Sequence, residues 1–109
     1  MLSHEISEEL VNGLCGIFGD SICQIILYGS VVRNEATAES DIDIAIIIDG
    51  SLPEDIRDTF IEFSANLDLK YDRVFSIIDI DRSNMEKWGD VLPFYRNLRE
   101  EGVVLWKAA

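Results

Sequence analysis

The chain has 109 residues, 48% of them hydrophobic, and carries 21 acidic against 9 basic side chains for a net charge of −12. That length fits a single domain over residues 1–109, with enough apolar material for a core that needs no disulfide staples. The acidity argues against free nucleic acid as a partner, leaves basic proteins and divalent cations open, and also serves plain solubility.

In chain order, Ile6, Leu10, Val11, Leu14, Ile17 and Phe18 recur at helical spacing. Ser3 is the expected N-cap, Glu5, Glu8 and Glu9 suit the positive helix start, and Gly19-Asp20 ends the helix. Residues 22–28, Ile-Cys-Gln-Ile-Ile-Leu-Tyr, form a nearly continuous apolar run, as in a strand buried on both faces. Gly29-Ser30 breaks that strand, Val31 to Asn34 read as a helical turn, and 35–40 as a loop. A second strand is expected over 41–48, then a turn at Asp49-Gly50-Ser51. Pro53 suits the first position of a helix that ends near Leu67. A third strand follows over 73–80, then a turn at 81–83 with a capping serine. One or two helical pieces come next, with Pro93 near the start of the second, and Gly102 closes that segment before a short strand over 103–106. This order predicts an α/β (α+β) domain with a small mixed sheet covered by helices.

Cys15 and Cys23 lack the spacing of a metal site and read as reduced core residues. The lone histidine, His4, is expected in a solvent-exposed or capping place. Trp88 and Trp106 read as core or partner-surface aromatics. Met1 to Glu5 has neither the basic start nor the apolar run of a secretory signal, and no segment reaches the roughly 18 apolar residues of a membrane span. A cytoplasmic protein is expected.

Two aspartates, Asp41 and Asp43, stand two apart at the head of the second strand, so both project to one face. Side by side they repel and resist burial unless a cation sits between them. Magnesium favours carboxylate together with phosphate oxygens. Gly29-Ser30 ends the preceding strand, where glycine lets the backbone approach a phosphate and Ser30 adds a hydroxyl donor. Each signal alone suits an ordinary turn or a solvated strand end. Together they set a phosphate cradle and a carboxylate pair at the ends of two successive buried strands.

Leu27-Tyr28-Gly29-Ser30, ten further residues, then Asp41-Ile42-Asp43-Ile44-Ala45 resemble the signature of the polymerase-beta-type nucleotidyltransferases. The short chain is similar to the minimal nucleotidyltransferase (MNT) branch. Arg33 matches the arginine three past the serine, and Ser40 the small polar residue before the first aspartate. Val31 and Asn34 depart from the pattern, standing where many members have arginine and glycine.

The resemblance implies a fold of that family and nucleotide binding at Gly29, Ser30 and Arg33. It implies Mg2+ or Mn2+ on Asp41, Asp43 and a third carboxylate from a later strand. Asp72 is the first choice for that catalytic ligand, with Asp68 as an alternative. Asp72 is taken to open the third strand, so Ser76 shares a strand face with it by parity and could itself hold the family position. Asp79 and Asp81 suit it less. The activity implied is transfer of a nucleoside monophosphate, AMP foremost, from an NTP such as ATP to a hydroxyl on a HEPN-like helical partner, as in toxin–antitoxin pairs. The alternatives are an inactive module of the same fold that masks its partner, and a small-molecule-modifying transferase.

Overall fold

The computed structural model describes residues 2–37 and 40–109. Ala38 and Glu39, part of the loop expected over 35–40, and Met1 lie outside the described residues. The first helix, α1, spans His4–Phe18. Ser3 caps it as its periodicity requires, accepting a 3.2 Å hydrogen bond from the Ile6 N–H. His4 is exposed on this helix with Nε2 3.2 Å from Glu8.

Strands β1 (Ile22–Tyr28), β2 (Ile42–Ile48), β3 (Phe75–Asp81) and β4 (Val103–Lys107) form one sheet in the order β3-β2-β1-β4. β1 runs antiparallel to β2 and to β4, and β2 runs parallel to β3. The parallel pair needs a crossover, supplied by α2 (Glu54–Tyr71). Two short helices, α3 (Arg82–Trp88) and α4 (Pro93–Glu101), join β3 to β4. The architecture is the mixed, helix-covered sheet expected.

Alternation along the strands builds two apolar layers. Leu27, Ile44, Ile46 and Phe75 meet Leu10, Leu14 and Phe18 of α1 and Phe60 and Leu67 of α2. On the opposite face Ile26, Ala45, Ile47 and Ile80 meet Met85 of α3 and Leu98 of α4. β2 lies between the layers and is buried from Ile44 to Ile48, which is why its sequence is continuously apolar. Cys15 and Cys23 are free, half-buried thiols at the edges of the two layers. Trp106 packs against the first layer, whereas Trp88 has the Lys87 ammonium 4.9 Å from its ring centroid.

Three boundaries differ from expectation. α2 continues past Leu67 to Tyr71, because Lys70 and the Tyr71 hydroxyl both reach Glu9 Oε1 on α1, at 2.7 and 2.6 Å. β3 begins at Phe75 rather than 73, since Asp72 takes a left-handed conformation (φ 52°, ψ 43°) that ends α2. The cap of α3 is Asp81 rather than a serine, its carboxylate accepting from the Ser83 N–H at 3.0 Å.

Candidate active site

By register, Asp43 stands opposite Tyr28 on β1 and beside Ser76 on β3. Cross-strand partners share a face, so these three side chains form a row. The row continues the second apolar layer, where Ala45 and Ile47 follow Asp43 on β2. Asp41 lies one residue ahead of β2 and is exposed, whereas Asp43 is half-buried. The residue before Asp41 is held from the side of β3, by Arg73, which donates to the Ser40 carbonyl at 3.1 Å.

Gly29 closes the site on the other side. It begins a 3-10 turn, Gly29–Val31, directly after β1, with φ at 78°. A Cβ built there would collide with Asp43 Oδ2 and come within 3.2 Å of its Cγ. Only glycine combines that backbone conformation with that proximity. The glycine-serine turn and Asp43, separated in sequence, are thus in van der Waals contact in space. Ser30 is half-buried within the turn, and its carbonyl accepts from the Glu35 N–H at 2.9 Å.

The electrostatics are dominated by the two aspartates, which Arg33 offsets only in part. Burial, then the neighbouring Asp41 charge, push the Asp43 carboxyl above its ordinary range, with Arg33 pulling the other way. Burial and the Asp43 charge likewise push the Tyr28 phenol up. Arg33 is exposed and shares its guanidinium with Glu35, Nε to Oε2 at 3.5 Å. A divalent cation on Asp41 and Asp43 would relieve the repulsion between them, so the donor set fits such an ion with phosphate oxygens completing its shell. Among the described residues, however, no three His, Cys, Asp or Glu side chains come close enough to share one ion.

A cavity of about 290 Å³ opens beside this row. Tyr28, Gly29, Val32, Arg33 and Asp43 line it. Phe94, Asn97, Leu98 and Glu101 of α4 supply its helical wall, with the Phe94 and Tyr28 rings edge to face at 5.8 Å. Positions 94, 97, 98 and 101 share one helical face, a pattern visible in the sequence, although nothing local showed what that face covers. Tyr28 and this wall are the site residues that sequence reasoning missed.

The structure therefore brings together Gly29, Ser30, Arg33, Asp41 and Asp43. It does not bring Asp72 onto the strand. That residue is the exposed C-cap of α2, three positions before β3 begins, so a parity count from it along the strand does not apply. Asp68 is engaged elsewhere, its carboxylate accepting from the Phe75 N–H at 2.8 Å. Asp79 pairs with Ile46 and so faces away from Asp43. Lys70 is tied to Glu9, away from the row.

Comparison with known proteins agrees with this geometry. Residues 18–107 match the family model described as polymerase beta, nucleotidyltransferase. A Methanocaldococcus jannaschii protein provisionally named a protein adenylyltransferase is 37% identical over 102 residues, covering 91% of this chain and 93% of its own. Among solved structures, a toxin–antitoxin with AMP-PNP superposes at TM-score 0.65 and 19% identity, covering 94% of this chain and 73% of the other. A chain from the complex of a tri-AMPylated Shewanella oneidensis HEPN toxin with MNT antitoxin superposes at TM-score 0.60 and 20% identity, covering 98% and 74%. At such identities the two structures establish the fold they share with this chain.

Proposed function

The chain belongs to the polymerase beta nucleotidyltransferase family, and on that premise we propose that it transfers AMP from ATP to a hydroxyl on a partner protein, as the antitoxin of a toxin–antitoxin pair. The observation that carries this is the contact between Gly29 and the Asp43 carboxylate, which sets the Gly29-Ser30 turn against one of the paired aspartates. The name of the M. jannaschii relative and the adenylylated toxin in the S. oneidensis complex support AMP and a protein acceptor.

On this proposal the triphosphate lies along the Gly29-Ser30 turn with Arg33 at its edge. Asp41 and Asp43 would hold Mg2+ or Mn2+, which when bound would neutralise phosphate charge and orient the reacting phosphoryl group. The acceptor oxygen attacks the α-phosphorus in line. The bond from that phosphorus to the bridging oxygen breaks, pyrophosphate leaves, and the hydroxyl proton passes to solvent. The α4 wall and Tyr28 bound the space in which substrate sits and limit its access to water. With a net charge of −12, close approach of a polyanionic acceptor is unfavourable, which supports a protein acceptor over RNA or DNA. The third ligand expected at Asp72 has no support in its position at the end of α2. No helix among the described residues is long and apolar enough to cross a membrane.

The test offers α-labelled ATP, CTP, GTP and UTP in turn, with magnesium, together with the helical protein encoded beside this one or with an RNA pool. Label from ATP on the protein, lost in Asp43→Asn, is expected. Label on RNA alone would overturn the acceptor assignment. A second proposal, a module that masks its partner without chemistry, is supported by Ser76, a neutral hydroxyl and not a carboxylate, standing beside Asp43 on β3. It predicts tight binding to the partner and no label on it.

A further inference from the structure

Resting on the nucleotidyl-transfer proposal, we infer that this chain holds one divalent cation in its site rather than a pair, because Ser76, and no carboxylate, stands beside Asp43 on β3. The parallel register pairs Asp43 with Ser76, and the antiparallel register pairs it with Tyr28. Both cross-strand neighbours of Asp43 therefore carry neutral hydroxyls. A second cation on the acceptor side needs negative oxygens from more than the two aspartates, since magnesium sites lean on carboxylates and phosphates and a neutral hydroxyl offers much less.

No other acidic residue near the start of β3 forms a three-ligand group with Asp41 and Asp43 among the described residues. Asp68 accepts from the Phe75 N–H at 2.8 Å. Asp72 is the exposed left-handed cap of α2, Asp79 faces away, and Asp81 caps α3. Glu101 lines the same cavity as Asp43, yet no three acidic, His or Cys side chains among the described residues are close enough to share an ion. The acceptor hydroxyl is thus engaged without a protein-held cation of its own. Its approach is set by the partner that presents it.

The experiment counts Mn2+ bound to the full chain saturated with a non-hydrolysable ATP analogue, by electron paramagnetic resonance, in parallel with AMP transfer. Wild type is expected to hold about one ion per complex and Ser76→Asp about two, with transfer raised by about tenfold or more. Two ions in wild type, or one in a folded Ser76→Asp, would overturn the inference. Asp72→Asn changes an exposed residue to one that also tolerates the left-handed region, so its folding is not at stake. It should leave the count at one, and any loss of an ion there would return the third ligand to Asp72 and overturn the inference. No ion in either wild type or Ser76→Asp would overturn the nucleotidyl-transfer proposal itself, and the inference with it.

Discussion

Replacing Gly29 by alanine separates two physical costs that this structure superimposes. The first is backbone strain: φ at Gly29 is 78°, a conformation that costs a residue with a Cβ about 1–2 kcal/mol. The second is collision, because the new methyl would run into Asp43 Oδ2 and sit 3.2 and 3.3 Å from its Cγ and Cβ. Overpacking of that kind adds about 1–3 kcal/mol. Gly50 provides the control, with φ at 84° and nothing within 4 Å of its ideal Cβ. Gly50→Ala should therefore lose about 1–2 kcal/mol, and Gly29→Ala about 2–5 kcal/mol, the sum of the two terms. For a chain of this size that is a fall in Tm of roughly 8–30 °C for Gly29→Ala against roughly 4–12 °C for Gly50→Ala. Because the displaced group is an Asp43 oxygen, metal-dependent binding of an ATP analogue should weaken by at least about tenfold in Gly29→Ala alone, the effect of disturbing a ligand shell. Thermal melts and calorimetry read both effects. Equal losses of stability in the two variants, with nucleotide binding intact in Gly29→Ala, would refute the contact between the turn and the carboxylate.

The Asp43 carboxyl titrates above its ordinary range through burial and the Asp41 charge, so the folded chain holds that proton more tightly than the unfolded chain does. The stability this gives is fully present below the ordinary carboxylate range and is lost as pH rises through the raised value. Asp43→Asn should therefore be more stable than wild type at neutral pH without metal, with the gap closing on acidification; a gap that widens would contradict the sign. Adding Mg2+ with the ATP analogue should raise the Tm of wild type and leave that of Asp43→Asn unchanged. Leu14, fully buried between α1 and the sheet, should cost about 2–5 kcal/mol when cut to alanine, read from denaturant midpoints. Asp68→Ala strands the Phe75 N–H and should cost about 1–3 kcal/mol while leaving nucleotide binding unchanged, which calorimetry on the same variant checks.

Much of this site was legible because its signals are local. The apolar runs of β1 and β2 declare strands buried on two faces, and the two-residue step from Asp41 to Asp43 sets both on one side. That the two strands are neighbours, with Gly29 against Asp43, depends on pairing across the intervening loop, which spacing alone does not show. Asp72 was misplaced because a parity count needs the strand's first residue. That boundary is fixed by a left-handed cap at Asp72 and by the bond from the Phe75 N–H to Asp68, seven residues away. The end of α2 was misread for a similar reason, since its last turn is held by Glu9, more than sixty positions earlier. The helical face of Phe94, Asn97, Leu98 and Glu101 could be seen in the sequence, but its place over Tyr28 is a long-range fact of packing.

The central claim is nucleotidyl transfer at the Asp41–Asp43 pair, and the most direct measurement compares ATP labelled on the α-phosphate with ATP labelled on the γ-phosphate. Each is incubated with magnesium, the chain and the helical partner proposed for it, beside the Asp43→Asn variant. Transfer of the α-label to the partner, with the γ-label recovered as pyrophosphate and neither event in the variant, is the predicted result. Transfer of the γ-label, or α-labelling that survives Asp43→Asn, would contradict it.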